Sequence, residues 1–286
     1  MRSAVLLLRE PFWARLGVAV VLLAVAFFFL GRWQLGRHEA KVARNDVVLE
    51  NYSATPVPLD AVLATPASAL PADRQWTRVR LRGRYEAAGQ TLVRNRPLDG
   101  TFGFEVVVPL RLASGAAFLV DRGWVPAGEK VVEPDAVPAP PPGTVEVVVR
   151  VRPGEPPLDR TPPPGQELRI DLGRLALRAG GTVYRGAYGV LAAEQPAPAV
   201  APAPLPEPDL DLGPHLAYAV QWWIGDVAAF GLLGYYALKE ARVRAAGGRG
   251  PSGSPPKPPE PGRPPKPARP RRREPSDEEW EDAATG

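Results

Sequence analysis

From Leu16 to Gly31 the chain carries no charged residue, and Phe12 and Trp13 extend that apolar stretch on its N-terminal side. With Trp33 as an interfacial anchor the run is about 20 residues, the length an α-helix needs to cross the hydrocarbon core of a bilayer. Arg2 and Arg9 resemble the basic start of a signal peptide. However, "AFFFLGRWQ" offers no small-x-small cleavage pattern, so an uncleaved helix is expected. A second run, "HLAYAVQWWIGDVAAFGLLGYYALK", has only Gln221 and Asp226 as strongly polar residues between Leu216 and Leu238. Trp222 and Trp223 near one end and Tyr235 and Tyr236 near the other suit the two interfaces.

The flanks of the second run predict its orientation. Residues 196–214 contain no Lys or Arg, whereas Lys239, Arg242, Arg244 and Arg249 follow closely. The positive-inside rule then puts the C-terminus in the cytoplasm, and two spans put the N-terminus there too. The first run is ambiguous alone, because Arg32, Arg37, Lys41 and Arg44 follow it where basic residues should be scarce. The expected layout is a cytoplasmic N-terminus (1–11), a first span (12–33), an extracytoplasmic β-rich domain with Pro-rich linkers (34–214), a second span (215–238) and a cytoplasmic tail (239–286). The tail is basic and proline-rich with few apolar residues, a composition that predicts disorder; its basic residues suit anionic lipid, but a solvated tail with no specific partner is the expected reading.

Between the two runs the pattern is β. "TRVRLRGRYE" alternates strictly, with Val79, Leu81 and Tyr85 on one face and four arginines on the other. "GQTLVRNRPLDG" adds a short strand and a turn. "FGFEVVVPLRL" and "AAFLVDRGWVP" read as a hairpin around Ala113-Ser114-Gly115, with Pro109 suggesting an edge or bulge. "TVEVVVRVRP" is a further strand, "LRIDLGRLALRAGG" a strand and short helix ending at Gly180-Gly181, and "VYRGAYGVLAAE" a closing strand. The fold class is a membrane protein: two transmembrane helices around a mainly-β (α+β) domain, barrel- or sandwich-like.

Composition narrows the chemistry. There are no cysteines, so neither disulfides nor thiolate catalysis is available. His38 and His215 are the two histidines, which excludes a multi-histidine metal site. The basic residues are dispersed or sit in the tail, which argues against nucleic acid as a partner. No nucleophile–base pair or phosphate loop is marked. A carboxylate pair such as Asp121 and Asp171, or a constellation in a deep pocket, is the opening left for an extracytoplasmic enzyme.

At 100° per residue His215, Trp222, Asp226 and Leu233 fall near one helix face. Asp226 lies roughly 16 Å deeper than His215 by helical rise. A carboxyl at that depth must be protonated, watered or paired with another protein, since the first run offers it only Gly, Ala, Val, Leu and Phe. His215 is either an amphipathic interfacial side chain or a ligand through its neutral imidazole.

Three stretches, "LGRWQLGRHEAK", "GTFGFEVVVPLRL…FLVDRGWVP" and "HLAYAVQWW", resemble the surfeit locus protein 1 family of cytochrome c oxidase assembly factors, over residues of about 12 to 240. The resemblance implies two transmembrane helices around an extracytoplasmic domain, no catalysis, and a role in oxidase biogenesis. It further implies handling of haem a for oxidase subunit I, alongside other assembly or haem a synthesis proteins. The family's candidate haem ligand corresponds to His215, with Trp222 and Arg37 beside it as cofactor contacts. Trp33, Gln34, Lys41 and Asp226, together with Arg122 and Trp124 of "DRGWVP", are the expected partner contacts. Trp33, Arg37 and Lys41 recur at i, i+4 and i+8, so a helix continuing past the span would put them on one broad face. Their charges suit haem propionates, a partner's acids, or acids of the β domain such as Asp121. Trp124 could cover the haem or plug the barrel core, and core packing is the expected role.

Overall fold

The computed structural model describes residues 10–129 and 131–247. Two helices are long and apolar enough to cross a membrane: α1, Pro11–Asn51, and α3, His215–Ala246. The short α2, Leu172–Ala179, lies between them in sequence. By contacts the chain divides into one unit of Ala19–Phe230 and another formed by Met1–Val18 with Gly231–Gly286.

Helix α1 runs well past the expected exit at residue 33. Residues 34–51, assigned from sequence to the β-rich domain, are helical. The reason is visible in the burial pattern. Within the larger unit, Val20, Ala24, Phe27, Gly31, Gln34, His38, Lys41, Asn45 and Val48 are buried or half-buried at alternating spacings of four and three. That is the heptad seam of a paired helix. On α3 the matching residues are His215, Ala219, Trp222, Asp226 and Ala229. The two helices run antiparallel. Phe27 meets Trp222 with ring centroids 5.2 Å apart, and Gly31 lies flat against the Trp223 indole. In the smaller unit Trp13 and Ala237 are buried together, and Arg244 bonds Glu10 at 2.6 Å and Glu240 at 2.8 Å.

The strands form one sheet in the order β1-β2-β6-β8-β5-β4-β3-β7, with a further β2–β4 pairing. The ranges are β1 Val57–Pro58, β2 Arg78–Tyr85, β3 Thr91–Val93, β4 Gly103–Leu112, β5 Ala117–Pro126, β6 Thr144–Arg152, β7 Gln166–Glu167 and β8 Tyr188–Gln195. The β2–β4 pairing closes β2, β6, β8, β5 and β4 into a five-stranded barrel, which resolves barrel against sandwich. β2 alternates as read, with Val79, Leu81, Gly83 and Tyr85 buried and Arg80, Arg82 and Arg84 exposed. Pro109 is neither at an edge nor at the bulge, which falls between Glu105 and Val107. It stands where β4 exchanges one neighbour, β3, for another, β2, so its missing N–H costs no ladder bond on that side.

Two apolar layers explain why β4 and β5 read as continuous hydrophobic runs. Inside the barrel are Val79, Leu81, Phe104, Val106, Val108, Phe118, Val120, Val147 and Val149. Outside, Val107, Leu119, Tyr188 and Val190 pack under Leu172, Leu175 and Ala176 of α2. Asp171 caps α2, accepting from the N–H groups of Gly173 (2.9 Å) and Arg174 (3.3 Å), so it is occupied structurally. Gly180 at φ +67° ends the helix.

Candidate functional site

Beyond the apolar part of α1 the seam turns polar. His215 opens α3, and its Nδ1 lies 2.9 Å from Oε1 of Gln34. With the amide oxygen accepting, the proton sits on Nδ1 and the Nε2 lone pair is free. Nε2 has no hydrogen-bond partner among the described residues. One and two turns further along α1, His38 and Lys41 continue the same stripe. His38 has a buried Nδ1 without a partner. Lys41 donates to the Asp211 carbonyl at 3.1 Å, and Asn45 donates to that of Leu210 at 2.6 Å. The polar half of α1 thus straps down the linker that enters α3. Gly213, at φ +64°, forms the floor: a Cβ there would lie 3.2 Å from Lys41 Nζ and 3.9 Å from His215 Nε2. Its bare backbone leaves an ammonium and a free imidazole nitrogen facing the same small space.

The anticipated Trp33–Arg37–Lys41 face divides. Arg37 lies 5.4 Å over the exposed Trp33 ring, whereas Lys41 belongs to the seam. Lys41 meets a carbonyl and Asp121 is wholly buried in the β domain, so that anticipated pairing does not occur. Trp222 packs on Phe27 within the helix pair. Asp226 is half-buried with Oδ1 unpartnered among the described residues, and so is Nε1 of Trp223 one turn earlier.

Arg122 does not face outward. Its side chain is fully buried in the barrel, 3.0 Å from Glu194 and 5.4 Å over the Tyr85 ring, with Nη1 donating to the Pro138 carbonyl at 3.0 Å. Burial, followed by the Glu194 charge, raises the Tyr85 phenol above its ordinary range. Trp124 is half-buried: its indole N–H donates to the Arg96 carbonyl at 2.6 Å, and its backbone exchanges two 2.8 Å bonds with Ala203. The proline-rich segment before α3 is therefore pinned to the barrel by a short β-bridge. Gly123, at φ +126°, makes room for it, since any Cβ there would strike the Ala203 carbonyl.

The barrel does hold a buried acid cluster. Arg96 grips Glu155 through both carboxylate oxygens (2.8 and 2.7 Å) and lies 3.0 Å from Glu105. Burial lifts the Glu105 carboxyl, with Arg96 pulling against it. Asp121 is lifted well above the usual range, by burial first and then by Glu105. Glu155, although burial opposes it, is held below its ordinary value by Arg96. Glu105 and Glu155 are thus committed to a structural arginine and Asp121 to burial. No group of three or more His, Cys, Asp or Glu suited to a metal ion is present among the described residues.

Two helices long and apolar enough to cross a membrane, a five-stranded barrel, and a histidine oriented at the start of the second helix define the class: a barrel domain joined in sequence to two candidate membrane spans. The SURF1 family profile matches residues 21–224, and the chain belongs to that family. An uncharacterized SURF1-like protein of Mycobacterium bovis is 36% identical over 257 residues, covering 87% of this chain and 91% of the relative. Uncharacterized SURF1-like proteins from two strains of Mycobacterium tuberculosis match to the same extent. The SURF1 family is one of non-catalytic assembly factors, and membership is consistent with a role in oxidase assembly.

Proposed function

We propose that the chain is an assembly factor for haem-copper cytochrome c oxidase that binds haem a as cargo and hands it to subunit I. In this reading both helices span the cell membrane, both termini are cytoplasmic, and the barrel lies outside. The absence of Lys and Arg from 196–214 and their abundance after α3 support that topology. The basic residues after the first apolar run cease to be an anomaly, because α1 carries them onward as a helix and one of them, Lys41, fastens the linker.

The observation that carries the haem reading is the Gln34–His215 hydrogen bond. A ligating imidazole characteristically donates its second N–H to a neighbour that fixes ring and tautomer. Gln34 does this for Nδ1 and leaves Nε2 for iron. Lys41 and Arg37 are the cations available to the propionates, and Trp222 is the nearby aromatic. The chain's own work is to orient the imidazole, neutralise the carboxylates and hold the cargo at the outer membrane surface.

Asp226 and Trp223 favour a second, scaffolding contact. Their unpartnered Oδ1 and Nε1 atoms are closed off in the seam against α1, and a helix of a partner such as subunit I, or of a haem a synthesis protein, would satisfy them by parting the two helices there. The test is co-expression with a haem a supply, purification in detergent, and a pyridine haemochrome spectrum for the parent and His215→Ala. Stoichiometric haem a lost in the variant is the expected result. No haem in the folded parent refutes the carrier reading and leaves the scaffold.

A further inference from the structure

The barrel domain carries a cavity of about 520 Å³, the size of a small-molecule site, on the outer face of β6. Its walls include Tyr52, Trp76 and Trp124, and its charged lining is Arg96, Arg150 and Arg152 against Glu105 and Glu207, an excess of one positive charge. These two arginines are two apart on one strand, so both side chains leave the same face. Each lies on an aromatic ring. The Arg150 guanidinium carbon is 3.7 Å from the Tyr52 centroid, and that of Arg152 is 4.4 Å from Trp76.

Stacking fixes the planes of both forks but leaves their N–H edges to be satisfied. Arg150 uses Nε on the Tyr52 carbonyl at 3.0 Å. Arg152 has a buried Nε with no acceptor. Neither arginine forms an ion pair among the described residues, although every other arginine at this cavity is spoken for: Arg96 holds Glu105 and Glu155. Two lining residues, Trp76 (φ +67°) and Asn95 (φ +60°), hold the left-handed backbone region. For a tryptophan that conformation is strained, and such strain gathers at ligand sites.

We propose that this cavity binds a soluble organic anion, a carboxylate or phosphate ester on a flat apolar body. Arg150 and Arg152 take the charged group and Trp76 and Trp124 flank the body. Bidentate guanidinium recognition suits both anions. A bilayer headgroup is the other source of a phosphate ester, and the helix argues against it. Between Gln34 and Asn51, α1 rises about 25 Å, several times the depth of a headgroup layer. The site shares no lining residue with the His215 cluster and does not depend on the haem reading.

The test is calorimetric titration of the full-length chain in a zwitterionic detergent with phenyl phosphate, inorganic phosphate, phenol and dihexanoyl phosphatidylglycerol. One saturable site for phenyl phosphate is expected, with inorganic phosphate and phenol each at least tenfold weaker. Arg150→Gln and Arg152→Gln should each weaken phenyl phosphate tenfold or more. Arg152→Lys, which keeps the charge and loses the fork, should weaken it severalfold and carries the test where the Gln variant does not fold. No saturable binding overturns the proposal, as do unchanged affinity in folded variants and a preference for the phosphatidylglycerol.

Discussion

Removing the carboxylate of Glu194 should be among the most damaging single changes to the barrel. Arg122 has no exposed side-chain surface and Glu194 has 5%. A single 3.0 Å contact joins them, while Arg122 Nε and Glu194 Oε2 are buried without partners. Glu194→Leu leaves the guanidinium with only the Pro138 carbonyl and the Tyr85 ring. Breaking a buried pair from one side costs about 3–5 kcal/mol. At about 2–4 °C per kcal/mol for a domain of this size, the unfolding midpoint should fall by about 10 °C. The double variant Arg122→Met/Glu194→Leu removes both charges. It forfeits the Pro138 bond, worth about 1 kcal/mol, but is relieved of both desolvation costs and should unfold near the parent. Thermal unfolding of the full-length chain in detergent, followed by tryptophan fluorescence, closes the cycle. A Glu194→Leu midpoint within about 3 °C of the parent refutes the reasoning, as does a double variant no more stable than the single.

Asp121→Asn should stabilise the barrel at neutral pH, with the gain shrinking toward pH 4. The folded carboxyl titrates above its unfolded value of about 3.9, so between the two values the folded state holds the extra proton and stability falls as pH rises; a parent–variant difference independent of pH in thermal melts would disprove it. Gly31→Leu places a side chain in the Trp223 indole and should cost the helix pair about 1–3 kcal/mol, seen as unfolding at lower concentrations in an SDS titration. An unchanged SDS midpoint would mean the two helices are not packed there. On the haem reading, Gln34→Ala should lower haem retention about 10-fold or more while leaving the fold intact, and wild-type retention would strip Gln34 of its orienting role.

The sequence was informative where one physical rule governed a segment. The alternation of β2 is legible because one face is barrel core and the other is water. The hairpin turn is legible because Gly115 takes φ +83°. Helix α1 beyond residue 33 was not, because its seam residues there are Gln34, His38, Lys41 and Asn45, which give no hydrophobic period to read. Arg122 was misplaced because a charge reads as surface unless its counter-ion is known, and Glu194 lies 72 residues away. His215 was legible as an isolated helix-end histidine, but its orienting partner came from 181 residues earlier. The cavity was invisible for the same reason: Tyr52, Trp76 and Arg150 belong to three separate segments. The basic, proline-rich tail expected after the second helix lies outside the described residues beyond 247.

The assembly reading is tested most directly in membranes of the native host with this chain deleted and restored. Reduced-minus-oxidised spectra report haem a in the oxidase independently of haem b in other complexes. Deletion should selectively diminish the haem a signal, the parent chain should restore it, and His215→Ala, expressed and inserted to the same level, should not. A full haem a signal in the deleted strain would contradict the account, and full restoration by His215→Ala would take the histidine out of it.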